Sequence, residues 1–390
     1  MLEQRFSKWL ILCLAPALTV LFTVGIRSTS VGAQEVLRFS GSTNSQTLAL
    51  SADDNLLAVA NPDNNSVTLF DTRAGANTLL AEVRVGQEPN GVAVSPDGTR
   101  VYVANTISGT VSVIAVNRTA NSYDSILATI PVGTEPYALA LTPRGRKLYV
   151  ANSRSNNVSV IDTATNRVVK TIDGVGFEPR GIAITNTGVE DNQETVYVTQ
   201  FLALPVPGKI DGFDDSKTGR VTVISASTDT VVSEVVLQPM PDTGFKAAGD
   251  ALKKIAPPAT ITEADLKFVT GAYPNQLNNI AIRGRFAFVP NTGASPNGPV
   301  RFDVNTQSLV SVIDLDLRQD AGQTINMHRA VALQSATPKR FLTVPWAMAL
   351  KKTANEGYVV SAASNVVVKL KFNPSTGATT VENDPTSPTR

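Results

Sequence analysis

The stretch VGQEPNGVAVSPDGTRVYVAN, from Val85 to Asn105, recurs as VGTEPYALALTPRGRKLYVAN from Val132 to Asn152. A looser third copy opens with VGFEPRGIAIT at Val175. Pro89, Pro136 and Pro179 mark the same point in each copy, so the unit steps along the chain by 47 and then 43 residues. A period of about 40 to 50 residues built from short strands is the signature of propellers and related arrays. Within the copy at 132 to 175, period-2 runs fall at Ala138 to Leu141, Lys147 to Ala151, Val158 to Asp162 and Val168 to Ile172. Turn residues separate them at Pro143-Arg144-Gly145, Ser153 to Asn157 and Thr163 to Asn166. Four antiparallel strands per unit predict the blade of an all-β propeller, in which neighbouring blades bury the faces that one blade alone leaves wet.

The same grid extends in both directions. The first blade is read from Leu48 to Val85, the fourth continues through Val196-Tyr197-Val198 to Leu237, the fifth starts at Ile280-Ala281-Ile282, and the sixth runs from Trp346 to Leu370. These six modules either close a small ring or form part of a seven-bladed one. Glu35-Val36-Leu37-Arg38-Phe39 reads as an outer strand without a blade of its own, placed to close the ring against the last blade.

At VYVAN (101 to 105), LYVAN (148 to 152) and VYVTQ (196 to 200), with the companion VSVIDT at 158 to 163, the chain resembles the YVTN family of β-propeller repeat proteins. The resemblance spans most of residues 42 to 372. It implies the propeller fold, often seven-bladed, and an exported or surface-associated location among binding proteins and partners of redox enzymes. It carries over no catalytic residue set.

Two stretches interrupt the repeat. Residues 201–219 stand between the second and third strands of blade four and contain Asp211-Gly212-Phe213-Asp214-Asp215. Residues 238–276 separate blades four and five, with helical spacing in Phe245 to Ile255 and Thr262 to Val269, so this insertion is expected to be mainly helical. Individual function accumulates on such departures from a repetitive scaffold.

The N-terminus has the pattern of an export signal: basic Arg5 and Lys8, an apolar run from Trp9 to Val24, and small residues ending Val31-Gly32-Ala33. Residues 1–33 are therefore expected to be a cleaved leader and 34–390 the propeller. Trp9 to Ile26 also keeps open an uncleaved membrane anchor, the one membrane contact the sequence suggests. Cys13, the only cysteine, lies in that leader, which leaves the mature chain without a disulfide, a thiol nucleophile, a Cys-ligated metal or a C-x-x-C-H haem attachment. The whole chain has a net charge of +1, and nothing in that balance recommends nucleic acid as a partner.

Candidate site residues follow from blade register. VGxEP places Glu88, Glu135 and Glu178 at one position of three consecutive blades, with Asn44, Tyr273 and Val344 read at that position elsewhere. Converging carboxylates hold cations; single ones cap turns or pair with a neighbouring arginine. One position beyond the proline the blades present Asn90, Tyr137, Arg180, Asn275 and Trp346, a mixture of amide, aromatic and guanidinium groups suited to a polar ligand at the channel rim. Asp211, Asp214 and Asp215 form a candidate calcium loop, although without the D-x-D-x-D-G order, and calcium is the one cofactor suggested. Asn61, Asn105, Asn152 and Asn291, each closing a second strand, are expected to serve left-handed turns. His328, the only histidine, has no second imidazole with which to build a zinc site.

Three functions fit these residues. The first is an exported binding protein that recognises a partner protein, peptide or polysaccharide through its channel face and insertions. The second is a metal-dependent hydrolase of the lactonase type using the rim carboxylates. The third is a surface-layer or assembly module.

Overall fold

The computed structural model describes residues 48–75, 77–188, 190–245, 269–297, 302–332 and 341–382. The expected leader, the strand at Glu35 to Phe39, and the helices proposed for the second insertion lie outside these residues, apart from the helix ends Phe245 and Val269. The described part is an all-β propeller of six blades. Blade one is β1 (Leu48–Leu50), β2 (Leu56–Asn61), β3 (Ser66–Asp71) and β4 (Thr78–Arg84). Blade two is β5 (Pro89–Val94), β6 (Arg100–Asn105), β7 (Thr110–Ala115) and β8 (Ile126–Pro131). Blade three is β9 (Pro136–Leu141), β10 (Lys147–Asn152), β11 (Asn157–Asp162) and β12 (Arg167–Ile172). Blade four is β13 (Pro179–Ile184), β14 (Thr195–Gln200), β17 (Arg220–Ser225) and β18 (Thr230–Val236), with the small hairpin β15 (Leu204–Pro205) and β16 (Lys217–Thr218) set into it.

Blade five departs from the pattern. Its central strands β21 (Phe286–Ala294) and β22 (Thr306–Asp314) are nine residues long, so its inner position is shared by β19 (Tyr273–Asn275) and β20 (Ala281–Arg283). Its outer position is likewise divided between β23 (Gln319–Asp320) and β24 (Ile325–Asn326). Two short helices, α1 (Phe302–Asn305) and α2 (Met327–Ala332), flank it. Blade six is β25 (Pro345–Leu350), β26 (Glu356–Ser361), β27 (Val366–Phe372) and β28 (Thr379–Val381). The described ends of the second insertion are not helical: Met240 bridges Ala272, and the Thr243 N–H donates to the Thr270 carbonyl at 2.8 Å.

The repeat's alternation explains how the blades stack. The first apolar residue of an innermost strand faces the preceding blade: Val92 and Val94 pack on Leu56, Ala58 and Leu69 of blade one, and Leu139 packs on Tyr102 and Val113 of blade two. Equivalent clusters join blades three and four, four and five, and five and six. Polar bolts supplement them. The hydroxyl of Tyr149, from the LYVAN copy, donates to Asp229 of blade four at 2.5 Å, and Lys147 Nζ reaches the same carboxylate at 2.7 Å. Asp191, before β14 and 4 % exposed, accepts from the Thr142 hydroxyl at 2.6 Å and from the Arg144 and Arg146 N–H groups at 2.8 and 3.1 Å, all on the β9–β10 turn of blade three.

The sixth interface differs. Lys352, between β25 and β26, pairs with Asp54, between β1 and β2, at 2.6 Å, so blades six and one meet at their inner turns. No apolar cluster among the described residues joins them. Leu48 and Leu50, at the positions of Val92 and Val94, are 63 % and 49 % exposed, against 5 % for Val92. On the opposite flank Val360 and Val367 of blade six are also exposed. Among the described residues this seam carries a surface ion pair and no core like those that seal the other five.

Candidate functional site

Antiparallel topology puts the start of a first strand and the connection from second to third strand at the same end of each blade. Both insertions, the loop from Ser295 to α1, and the VGxEP turns therefore share one face of the propeller. Among the described residues, the connections at the opposite face range from short turns such as Pro96 to Gly98 and Pro143 to Gly145 to the longer stretches 116–125 and 185–194.

The glutamates of VGxEP act there through their backbone. Glu88, Glu135 and Glu178 have φ of 52°, 52° and 47°, the left-handed region in which a residue with a side chain is uncommon. The turn is fixed by bonds on both sides. The Glu88 carbonyl accepts from the Thr106 N–H at 2.9 Å and the Glu135 carbonyl from Ser153 at 2.8 Å, while the Glu88 and Glu178 N–H groups donate to Oδ1 of Asn65 and Asn156 in the preceding blade, both at 2.8 Å. Arg154 sits between the carboxylates of Glu135 and Glu178, at 3.9 and 3.6 Å. The carboxylates of Glu135 and Glu178 are thus paired with an arginine. Among the described residues no three Asp, Glu, His or Cys side chains converge as metal ligands.

The left-handed turns use asparagines other than those expected. Asn65, Asn156 and Asn365 have φ near 52°, whereas Asn61, Asn105 and Asn152 are the last residues of their strands and Asn291 lies within β21, none of them at positive φ. Their amides reach inward to the third strand: Asn105 Nδ2 donates to Thr110 and Ser112, and Asn152 Nδ2 to Asn157 and Ser159. Gly86 and Gly133 make room for them, since a Cβ at either would lie 2.7 Å from the asparagine side chain.

The register of blade five is corrected by the same geometry. Gln276, with φ of 52°, occupies the glutamate position, and Asn278 the position after the proline, because Gln276-Leu277-Asn278 leads directly into Ile280-Ala281-Ile282. Tyr273 and Asn275 lie on the extra strand β19, opposite Ala294 and Thr292. Tyr273 is buried, and Asn275 Oδ1 accepts the Ala203 N–H at 2.9 Å, which ties the first insertion to blade five. The proline in Tyr273-Pro274-Asn275 imitates the repeat and shifted the reading by three residues.

With that register the rim consists of Asn90, Tyr137, Arg180, Asn278 and Trp346. Arg180 is its centre. Its guanidinium carbon lies 3.7 Å from the ring centroid of Phe201 and 4.8 Å from that of Tyr137. The Tyr137 hydroxyl is hydrogen-bonded to Asn278 and Arg180, and burial, opposed by the Arg180 charge and these bonds, pushes its phenol above the ordinary range. Asn278, 7 % exposed, donates through Nδ2 to the Trp346 carbonyl at 3.3 Å. Asn90, 4 % exposed, donates to the Thr106 hydroxyl at 2.8 Å. Phe201, the first residue of the first insertion, was not legible as a site residue; its place beside Arg180 follows from the Leu277 N–H donating to its carbonyl at 2.9 Å.

The acidic loop does not assemble. Asp211 pairs with Lys217 and Asp215 with Lys209, while Asp214 turns inward to accept from the Gly271 and Asn297 N–H groups at 2.8 and 2.9 Å and from the Ser295 hydroxyl at 3.2 Å. Burial pushes the Asp214 carboxyl up despite these donors. Its role is to hold three loops together. His328 is buried in a ring sandwich, stacked on Phe245 at 5.0 Å and edge-on to Phe341 at 4.1 Å, with Nδ1 accepting the Leu342 N–H.

Comparison with known proteins agrees on the fold. Residues 26–134 match the model of the family "Lactonase, 7-bladed beta-propeller". No curated protein matches the chain significantly. Hydrazine synthase of Kuenenia stuttgartiensis is similar with a TM-score of 0.60 at 20% identity, over 85% of this chain and 78% of that one. The periplasmic gluconolactonase of Pseudomonas aeruginosa is similar with a TM-score of 0.51 at 16% identity, over 87% and 85%. The WD40 repeats of RRP9 have a TM-score of 0.54 at 13% identity, over 86% and 79%. At these identities the likeness is one of fold.

Proposed function

We propose that this chain is an exported propeller of the YVTN repeat type that binds a partner protein through the face carrying VGxEP, with the rim around Arg180 as the point of recognition. The observation behind this reading is the gathering of both insertions, the aromatic-flanked guanidinium and the buried rim amides on one face. Exposed apolar side chains on the same face, Ile107, Phe177, Leu202, Ile210 and Phe213, add the contact surface that a polypeptide partner would cover. The test is to screen the full chain against arrayed peptides and saccharides, then to repeat the positive contacts with Tyr137→Ala, Trp346→Ala and, on the opposite face, Arg118→Ala. Binding lost with the first two and kept with the third supports the reading. The reverse pattern removes it.

A second reading, hydrolysis of a lactone, is favoured by the family match over residues 26–134. Turnover of glucono-δ-lactone above background that disappears in Arg180→Gln would establish it in place of pure binding.

A further inference from the structure

Arg180 differs from the other arginines of this face in what surrounds it. Arg154 lies between two carboxylates, whereas Arg180 has no ion pair among the described residues, although Glu178 is two residues away. Its Nε is buried without a hydrogen-bond partner, and so is Oδ1 of Asn278. A buried donor left unsatisfied is destabilising, and more so on a charged group. The guanidinium lies over the Phe201 ring, with its carbon 3.7 Å from the centroid, and the edge of a guanidinium is the part that grips a carboxylate with two parallel bonds. A ligand that satisfies both groups must bring an anion to Arg180 and a hydrogen-bond donor to Asn278.

Resting on the binding function proposed above, we infer that the rim takes an acidic residue of a partner polypeptide: its carboxylate on Arg180, a neighbouring backbone N–H on Asn278 Oδ1. The surroundings favour a peptide over a sugar acid. Phe177 immediately precedes Glu178-Pro179-Arg180 and is 62 % exposed, and Leu202 follows Phe201 and is 44 % exposed, so apolar side chains flank the cation on the two loops that carry it. An acidic residue between two aliphatic ones complements that arrangement.

The chain has only two tryptophans, Trp9 and Trp346, so the emission of Trp346 reports on the rim directly. The probes are an N-acetyl, C-amidated tripeptide of leucine, glutamate and leucine, its glutamine counterpart, and D-glucuronate. The expected result is binding of the glutamate peptide about tenfold tighter than the glutamine peptide, equivalent to about 1.4 kcal/mol. Arg180→Gln should abolish that preference while melting at the wild-type temperature, and Arg180→Lys should retain part of it. Equal binding of the two peptides, lost in Tyr137→Ala, would overturn the acidic preference and leave the rim as the binding site. A response to D-glucuronate alone would assign the arginine to a saccharide and also overturn the inference. No change in Trp346 emission with any probe would remove both the inference and the function on which it rests.

Discussion

Replacing Asp191 by alanine tests whether the blades are bolted together by side chains as well as by the apolar clusters. The carboxylate lies on blade four, and its three donors lie on a single turn of blade three. A hydrogen bond to a charged group is worth about 1.5–3 kcal/mol. The three share one acceptor and do not add, and the Arg144 and Arg146 N–H groups regain water when the carboxylate goes, so the net loss is about 2–4 kcal/mol. An unfolding entropy of about 2.1 cal/mol/K per residue makes this about 1–2 °C per kcal/mol for a propeller of roughly 350 residues, so the melting temperature should fall by about 2–8 °C. Asp191→Asn, which keeps one acceptor oxygen, should lose about half as much. The pH dependence separates this bolt from simple packing. Burial pushes the Asp191 carboxyl up, but the bonds from Thr142, Arg144 and Arg146 outweigh it and hold the group below the ordinary range. A depressed folded-state value stabilises fully above the unfolded value of about 4, and the contribution fades as pH falls through the folded value. The difference between wild type and Asp191→Ala, followed by circular dichroism melts, should therefore be largest at neutral pH and shrink in acid. A difference below about 1 °C at neutral pH, or one that persists unchanged in acid, would refute the bolt.

The other expectations concern the repeat and the seam. Gly133→Ala places a Cβ 2.7 Å from Cβ and Cγ of Asn152 and should cost about 1–3 kcal/mol in chemical denaturation, with the double variant Gly133→Ala, Asn152→Gly losing less than the sum of the two single variants; strictly additive losses would mean that the glycine serves something else. Leu139→Ala, inside a sealed interface, should cost about 2–4 kcal/mol, whereas Leu50→Ala at the seam should cost less than about 1 kcal/mol; comparable losses would show that the seam is covered in solution.

The blades were legible because burial imposes period-2 alternation and the turns impose their own residues, so VYVAN and LYVAN announced both strand and partner. Blade five was not, because Tyr273-Pro274-Asn275 mimics the motif while the chain uses Leu277 in place of the proline. The glutamates of VGxEP looked like ligands because sequence exposes side-chain type and conceals φ; only the structure shows that the backbone bonds at these positions are what the turns require. The rim was half legible. Tyr137, Arg180, Asn90 and Trp346 came from register alone, but Phe201 and Asn278 reach it through a loop crossing and a slipped register that periodicity does not encode.

The seam between blades six and one also bears on how the molecule comes apart. In a stacked array each blade is stabilised by its neighbours, so blades two to five are sealed on both sides, and blades three and four, whose neighbours are sealed on both sides too, form the most cooperative part. Among the described residues, blades one and six are each sealed on one side. Amide hydrogen exchange should therefore show a gradient of protection, highest at β10 and β14 and falling towards β2 and β26, with the first opening at the Lys352–Asp54 contact. A ring with six equal seals would exchange as one unit; the described residues here give it a starting point for unzipping.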